Sequence, residues 1–390
     1  MSIMNSQRLP LRIVTLAAAF VTVLALATPA SAAPVTVNVG AALTLSGTNQ
    51  AFGNSSRRGI DLAVKEINAS ARAGIKVKVK TIDDFGTPEG AAAAYGIFFR
   101  DGVSAIMGPT LSSVALTVNH FAQGARIPVL GISNTLPGIT EIGTFIFRPA
   151  LTEQFVLPRV VKAVAESPIA PKTVVLIVGS DAMVSATSYS ATTALIFRQA
   201  LAENGVVVVK EIAVPVGMTD FASIGAEVKA ADPDIVAITA LPAEGIPLLT
   251  AIRNAKFRKN IIGSNAFNTQ EIITGAQAAA NGLIVGTAWS SSTVSKRNQA
   301  FIKAFKKEYK RIPDQFAATG YAYTYVLAAA VKRGNSATQA SIQTQLAAIT
   351  GPKSVATLLG KFRFDLNRNG ISPVRVQEVV SQKFAIFPQD

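Results

Sequence analysis

Ala105-Ile106-Met107-Gly108-Pro109-Thr110-Leu111-Ser112-Ser113 decides how this chain folds. Val103–Met107 is a short apolar run with the character of a buried strand, and Ser113–Ala122 carries apolar residues at helical spacing. Between them, hydroxyl side chains and backbone N–H groups gather at a helix N-terminus, where the dipole favours an anion. The next apolar strand, Pro128–Ile132, ends in Ser133-Asn134-Thr135. Two hydroxyl clusters after neighbouring strands make a cradle suited to a carboxylate. Each alone could be simple helix capping.

Outward from this point the chain keeps alternating. Val35–Leu43 is β-branched and apolar, a buried strand. Ser55–Ser70 is a helix on the spacing of Ile60, Ala63, Val64 and Ile67. Ile75–Ile82 alternates with period two and predicts an edge strand with one wet face. Ala91–Arg100 is a helix. After Pro149 the rhythm restarts, with strands predicted at Thr173–Val178, Val206–Ala213, Ile235–Thr239, Asn260–Ile262 and Leu283–Thr287. Helices are predicted near 188–203, 220–230 and 243–254. Helices near 296–310, 315–333 and 337–348 follow, then strand-like runs at Gly360–Phe364 and Val374–Val380. Two alternating blocks predict an α/β protein with two Rossmann-like lobes, each built on a mainly parallel sheet covered by helices. Ligands of such sheets sit beyond the carboxyl ends of the strands.

Residues 1–32 read as an export signal rather than fold. Arg8 and Arg12 precede an apolar run from Ile13 to Ala27, and Ala30-Ser31-Ala32 gives an A-x-A cleavage pattern. The apolar run is shorter than the roughly 20 residues that span a bilayer. A cleaved signal predicts an exported protein, placed in the periplasm.

Composition excludes much chemistry. The 390 residues include no Cys and one His, His120. Thiolate nucleophiles, disulfides, Cys-ligated metals and two-His metal sites within the chain are therefore excluded. No nucleophile elbow, P-loop or G-x-G-x-x-G fingerprint occurs. No catalytic residue, metal or cofactor is expected. Asp83-Asp84 follows a strand and reads as a polar turn rather than an acid–base pair. His120 reads as a surface or structural residue. Lys303, Lys306, Lys307, Lys310 and Arg311, interleaved with Phe301, Phe305 and Tyr309, read as the solvated face of an amphipathic helix. The formal net charge of +14 keeps polyanion binding open as a rival. Removing the signal lowers it by two, so the charge belongs mostly to the folded part.

Several stretches in order resemble type I periplasmic substrate-binding proteins of the branched-chain amino acid ABC transporter family. They are Gly40-Ala41-Ala42-Leu43-Thr44-Leu45-Ser46-Gly47 with Phe52-Gly53, Gly59-Ile60-Asp61-Leu62-Ala63-Val64 with Ile67-Asn68, and Asp83-Asp84 with Pro88. Then come Ala105–Pro109 with Ser112-Ser113, Ile127-Pro128 with Ile132-Ser133, and Phe147-Arg148-Pro149. Asp220-Phe221, Pro233-Asp234, Gly320-Tyr321 and Gly360–Gly370 close the pattern. The resemblance implies three hinge crossings, near Pro149–Thr152, Ala288–Ser292 and Ile371–Val374. The first lobe would hold 33–149 plus 289–373, the second 150–288 plus 374–390.

The same resemblance implies the site. Ser112, Ser133 and Thr135 would hold a ligand carboxylate. Phe52 would pack on the ligand, with Thr110, Leu111 and Phe316 as further first-lobe walls. On the second lobe, one of Thr187 or Tyr189 would stack over the ligand side chain, and Leu241 would form another wall. Amino acid binders of the family place an acid two residues after the glycine ending the fourth second-lobe strand. Here Gly263-Ser264 is followed by Asn265, and Glu271 lies off that position. A buried ammonium without a counter-charge is costly.

The expected function is thus capture of a small carboxylate-bearing ligand, an apolar amino acid by first choice, for an ABC importer. The lobes would close over the ligand, and its permease and ATPase subunits would be the partners. A binder of an amine-free aromatic or keto acid is the alternative, and a ligand-sensing or polyanion-binding protein a second one. Neither enzymatic activity nor nucleic-acid binding is expected, and a monomer is.

Overall fold

The computed structural model describes residues 1–2, 33–70 and 73–388. The export signal read at 1–32 lies outside the described residues, apart from Met1 and Ser2. In chain order the first block is β1 (Val35–Leu43), α1 (Gln50–Ala69), β2 (Ile75–Asp83), α2 (Pro88–Arg100), β3 (Ala105–Met107), α3 (Ser112–Gly124), β4 (Val129–Leu130) and β5 (Ile146–Phe147). The second is α4 (Glu153–Ala165), β6 (Thr173–Val178), α5 (Asp181–Val184), α6 (Tyr189–Glu203), β7 (Val207–Ala213), α7 (Ala222–Ala231), β8 (Ile235–Thr239), α8 (Pro242–Asn254), β9 (Ile261–Gly263), α9 (Gln270–Ala276) and β10 (Leu283–Thr287). Then follow α10 (Lys296–Tyr309), α11 (Gln315–Gly334), α12 (Gln339–Ala347), β11 (Val355–Thr357), β12 (Gly360–Phe364), β13 (Gly370–Ile371), β14 (Arg375–Val380) and β15 (Lys383–Ile386).

The first sheet has order β2-β1-β3-β4-β5, and all its pairings are parallel. The predicted edge position of β2 holds: Ile75 and Val77 are buried while Lys76 and Lys78 are exposed. Alternate residues of β1 feed two cores. Val37, Val39, Ala41 and Leu43 pack under α1, α10 and α11, while Ala42 packs with α2 and α3. The second sheet has order β15-β14-β10-β9-β8-β6-β7. On β6, Val175 and Ile177 face the α7–α8 side, and Val174, Leu176 and Val178 face α4 and α6. Each sheet is thus covered on both faces, as its apolar strands require.

The expectation of mainly parallel sheets holds: the first sheet is parallel throughout, and the second is parallel except at one edge. β14 pairs antiparallel with β10, and β15 antiparallel with β14. β14 follows β13 of a separate small sheet, and β15 returns on β14 through the two-residue turn Ser381-Gln382. β12, expected from the sequence, belongs to a small antiparallel sheet, β11-β12-β13, whose other two strands are too short to show a pattern. The helix α4 was not predicted, although Val156, Leu157, Val160, Val161 and Val164 form its buried face. Pro158 inside it obscures the pattern.

Two glycines let α1 and α11 cross closely. A Cβ on Gly59 would lie 2.0 Å from the Ala317 carbonyl oxygen, and one on Gly320 2.5 Å from that of Ser56. Distant stretches also meet where the chain passes between sheets. Arg148 is buried, and its Nε and Nη2 donate to Asn369 Oδ1 at 2.9 and 2.7 Å. Gly370 N donates to the Arg148 carbonyl at 2.7 Å. Burial lowers the Arg148 guanidinium to about 10.

No helix among the described residues is long and apolar enough to cross a membrane.

Candidate ligand site

β3 and β4 pair in register, Met107 opposite Leu130. That register brings the segments after them side by side. Ser112, the first residue of α3, accepts through Oγ from the Thr135 N–H at 3.0 Å. Ser133 Oγ donates to the Thr110 carbonyl at 2.7 Å. Asn134 Nδ2 donates to the Pro109 carbonyl at 2.9 Å. The two hydroxyl clusters therefore form one hydrogen-bonded unit at the carboxyl end of the sheet.

Asp84 supports this unit from behind. It is fully buried, and Oδ1 accepts from Thr44 Oγ1 at 2.7 Å and Gly86 N at 2.8 Å. Its Oδ2 accepts from Thr110 N at 3.3 Å. Asp83 Oδ1 accepts from the Leu45 and Phe85 N–H groups. The pair is a turn-forming device, as predicted, and burial raises the Asp84 carboxyl. His120 is exposed beside the Phe121 ring. On α10, Phe301 and Phe305 are buried and the lysines exposed, so the basic stretch is an amphipathic helix. Among the described residues, no group of three or more His, Asp or Glu is placed to hold a metal.

In front of the cradle lies a cavity of about 430 Å³, within the size range of small-molecule pockets. All eleven predicted site residues line it: Phe52, Thr110, Leu111, Ser112, Ser133, Thr135 and Phe316 from the first lobe, and Thr187, Tyr189, Leu241 and Asn265 from the second. Both Thr187 and Tyr189 line it. Phe52 and Phe316 stack at 4.7 Å, tilted by 54°, and both join the apolar cluster of the second lobe. Leu241 precedes α8, and Tyr189 begins α6. Glu271 is exposed and does not line the cavity.

Two acids escaped the sequence reading. Asp181 lines the cavity, and it directly follows the Gly179-Ser180 turn after β6, where the strand-end rule could have found it. Glu153 is fully buried at the start of α4. Its Oε1 accepts from the Tyr189 hydroxyl and from the Asn265 N–H, the latter at 3.1 Å. Burial pushes its carboxyl up to about 7, against the opposing effect of those two hydrogen bonds. Asn265 is committed elsewhere: its Oδ1 accepts from Gln315 Nε2 at 2.7 Å.

A two-lobe α/β fold with a polar-floored, apolar-walled cavity between the lobes defines a solute-binding protein. The family model described as periplasmic binding protein matches residues 36–383, and the chain belongs to that family. It is 26% identical over 376 residues to the Leu/Ile/Val-binding protein BraC3 of Rhizobium johnstonii, covering 96% of both chains. Among solved structures it is similar to the branched-chain amino acid transporter substrate-binding protein LivJ of Streptococcus pneumoniae in complex with isoleucine. That similarity has a TM-score of 0.81 at 24% identity, over 90% of this chain and 97% of the other. An ABC transporter solute-binding protein of Rhodopseudomonas palustris in complex with 3,4-dihydroxybenzoic acid gives 0.78 at 22% identity, over 90% and 95%. Both solved structures carry the same fold.

Proposed function

We propose that this protein is the extracytoplasmic receptor of an ABC importer and captures a small carboxylate-bearing ligand between its lobes. A branched-chain or other apolar amino acid is the first choice. The observation that carries this reading is the cavity itself, with a hydroxyl and N–H cradle at the α3 N-terminus and apolar walls formed by Phe52, Leu111, Leu241 and Phe316. The carboxylate docks at Ser112, Ser133 and Thr135, beside the N-terminus of α3, whose helix dipole favours an anion. The apolar side chain rests on the two phenyl rings.

The lobes comprise 33–149 plus 289–373 and 150–288 plus 374–390. They rotate about the three strands of chain between the sheets, and the ligand favours closure through contacts made only in the closed state. A permease and its ATPase read the closed form. On this reading the event is capture without chemistry. The protein acts as a monomer in the periplasm after losing residues 1–32, and nucleic acid is not its partner.

Asn265 favours a second reading, an amine-free aromatic or keto acid. Titration calorimetry with L-leucine, L-isoleucine, benzoate and 4-methyl-2-oxopentanoate tests the function and orders the two readings. Saturable heat with none of the small carboxylates in such a panel, together with salt-sensitive binding to heparin, would contradict both.

A further inference from the structure

We propose that Glu153 is the residue that sets the charge specificity of the cavity. Held behind the wall by Tyr189 and Asn265, its carboxylate makes the second-lobe side favour a ligand carrying an ammonium group. The proposal rests on reading the cavity as the site of a small carboxylate.

The geometry carries it. Both donors to Glu153 Oε1, the Tyr189 hydroxyl and the Asn265 N–H, belong to residues that line the cavity. Glu153 Oε2 is buried and has no hydrogen-bond partner among the described residues. The Glu153 N–H donates to the Thr135 carbonyl at 3.1 Å, so the residue is tied to the first-lobe cradle as well. A fully buried carboxyl is thus hydrogen-bonded to the backbone of Asn265, the position where this chain lacks the acid of the family pattern. Among the described residues no cationic side chain is paired with it. Charges interact strongly across a low-dielectric interior, and a buried acid without a partner is costly. A ligand cation at the Tyr189–Asn265 wall supplies that partner. Asp181 is the one charged side chain among the described lining residues. It is only half-buried, where solvent and salt screen it, and its Oδ2 accepts from the Ser190 N–H at 3.0 Å.

Glu153 acts through Tyr189 and Asn265 and is a positioning residue, so the test needs a readout that a purely structural role would not move. That readout is the affinity ratio of L-leucine to 4-methyl-2-oxopentanoate, which share a carbon skeleton and differ at the amine. The wild-type protein is expected to bind leucine at least roughly tenfold tighter. Glu153→Gln keeps the size and the acceptor for Tyr189. It should lower leucine affinity by roughly tenfold or more and leave the keto acid within about threefold. Glu153→Asp should restore part of the preference. Equal losses for both ligands would reduce Glu153 to a structural role and overturn the proposal. So would a preference that vanishes in Asp181→Asn but survives in Glu153→Gln. Should Glu153→Gln not fold, the wild-type ratio decides, because a keto acid bound more tightly than leucine is incompatible with the proposal. In that case the carboxylate reading stands and only the role of Glu153 falls. Absence of binding by any small carboxylate would overturn the reading itself and the proposal with it.

Discussion

Gln315 Nε2 donates to Asn265 Oδ1 across 2.7 Å, joining the start of a first-lobe helix to the turn that forms the second-lobe wall. The same glutamine accepts through Oε1 from the Ala288 N–H at 2.8 Å and from Thr287 Oγ1 at 2.7 Å. One side chain thus ties the cavity wall to the segment where the chain crosses between lobes. An asparagine at 265 serves this link.

Replacing Gln315 by Ala should leave the buried Ala288 N–H without its acceptor and the half-buried Asn265 Oδ1 with only the Asn268 amide as donor. Each unsatisfied group costs about 1–3 kcal/mol. Urea denaturation should show a loss of that order. An unchanged midpoint would mean that other groups satisfy this link.

Ser112→Ala should weaken ligand binding by roughly tenfold or more, the range for a hydrogen bond to a charged group. The change removes the acceptor for Thr135 N–H as well as a donor to the ligand. Titration calorimetry with L-leucine measures it, and an unaltered dissociation constant would displace the carboxylate from the cradle.

The close crossing of α1 and α11 predicts that Gly59→Ala is disruptive. The new methyl carbon would meet the Ala317 carbonyl oxygen at 2.0 Å, so one helix must shift. A loss of roughly 3 kcal/mol or more is expected, read from the unfolding midpoint. A neutral substitution would contradict the helix packing.

Glu153 gives stability a pH dependence of known sign. Its folded-state value is raised from the ordinary 4.5 to about 7, so the folded state holds the proton more tightly than the unfolded chain. The associated stability is present below about 4.5 and is lost as pH rises through about 7. The full effect is roughly 3 kcal/mol. Tyr189 is the titratable group that contacts this carboxyl, by donating its hydroxyl proton. In urea unfolding of the unliganded protein, Glu153→Gln should gain stability relative to wild type between pH 5 and pH 8. A difference that does not change with pH would place the Glu153 carboxyl in an ordinary environment.

Much of this arrangement is legible from local pattern. The β-branched runs of β1, β6, β8 and β10 announce buried strands, and their predicted bounds match those observed. The cradle is legible because β3 and β4 are neighbours in both sequence and sheet, so their trailing hydroxyls had to meet. Glu153 is a different case. Its partners Tyr189 and Asn265 are 36 and 112 residues away, and only the fold brings a glutamate on α4 behind the cavity wall. The helix itself was hidden by Pro158. The strand β14 is legible as Val374–Val380, but its antiparallel direction is not, since period and propensity carry no strand direction, and β15 is not legible. The α1 helix begins at Gln50, ahead of its apolar periodicity, because Phe52 is buried against Phe316 and the second lobe rather than in the first-lobe core.

The central claim is capture of a small carboxylate in the cavity between the lobes, and a thermal-shift titration tests it most directly. At a hundred times its dissociation constant a bound ligand stabilises the folded state by about 2.7 kcal/mol. We expect L-leucine or L-isoleucine to raise Tm in the wild-type protein and Ser112→Ala to need much higher concentrations for the same shift. A Tm unmoved by these amino acids, by benzoate and by 4-methyl-2-oxopentanoate would contradict the account.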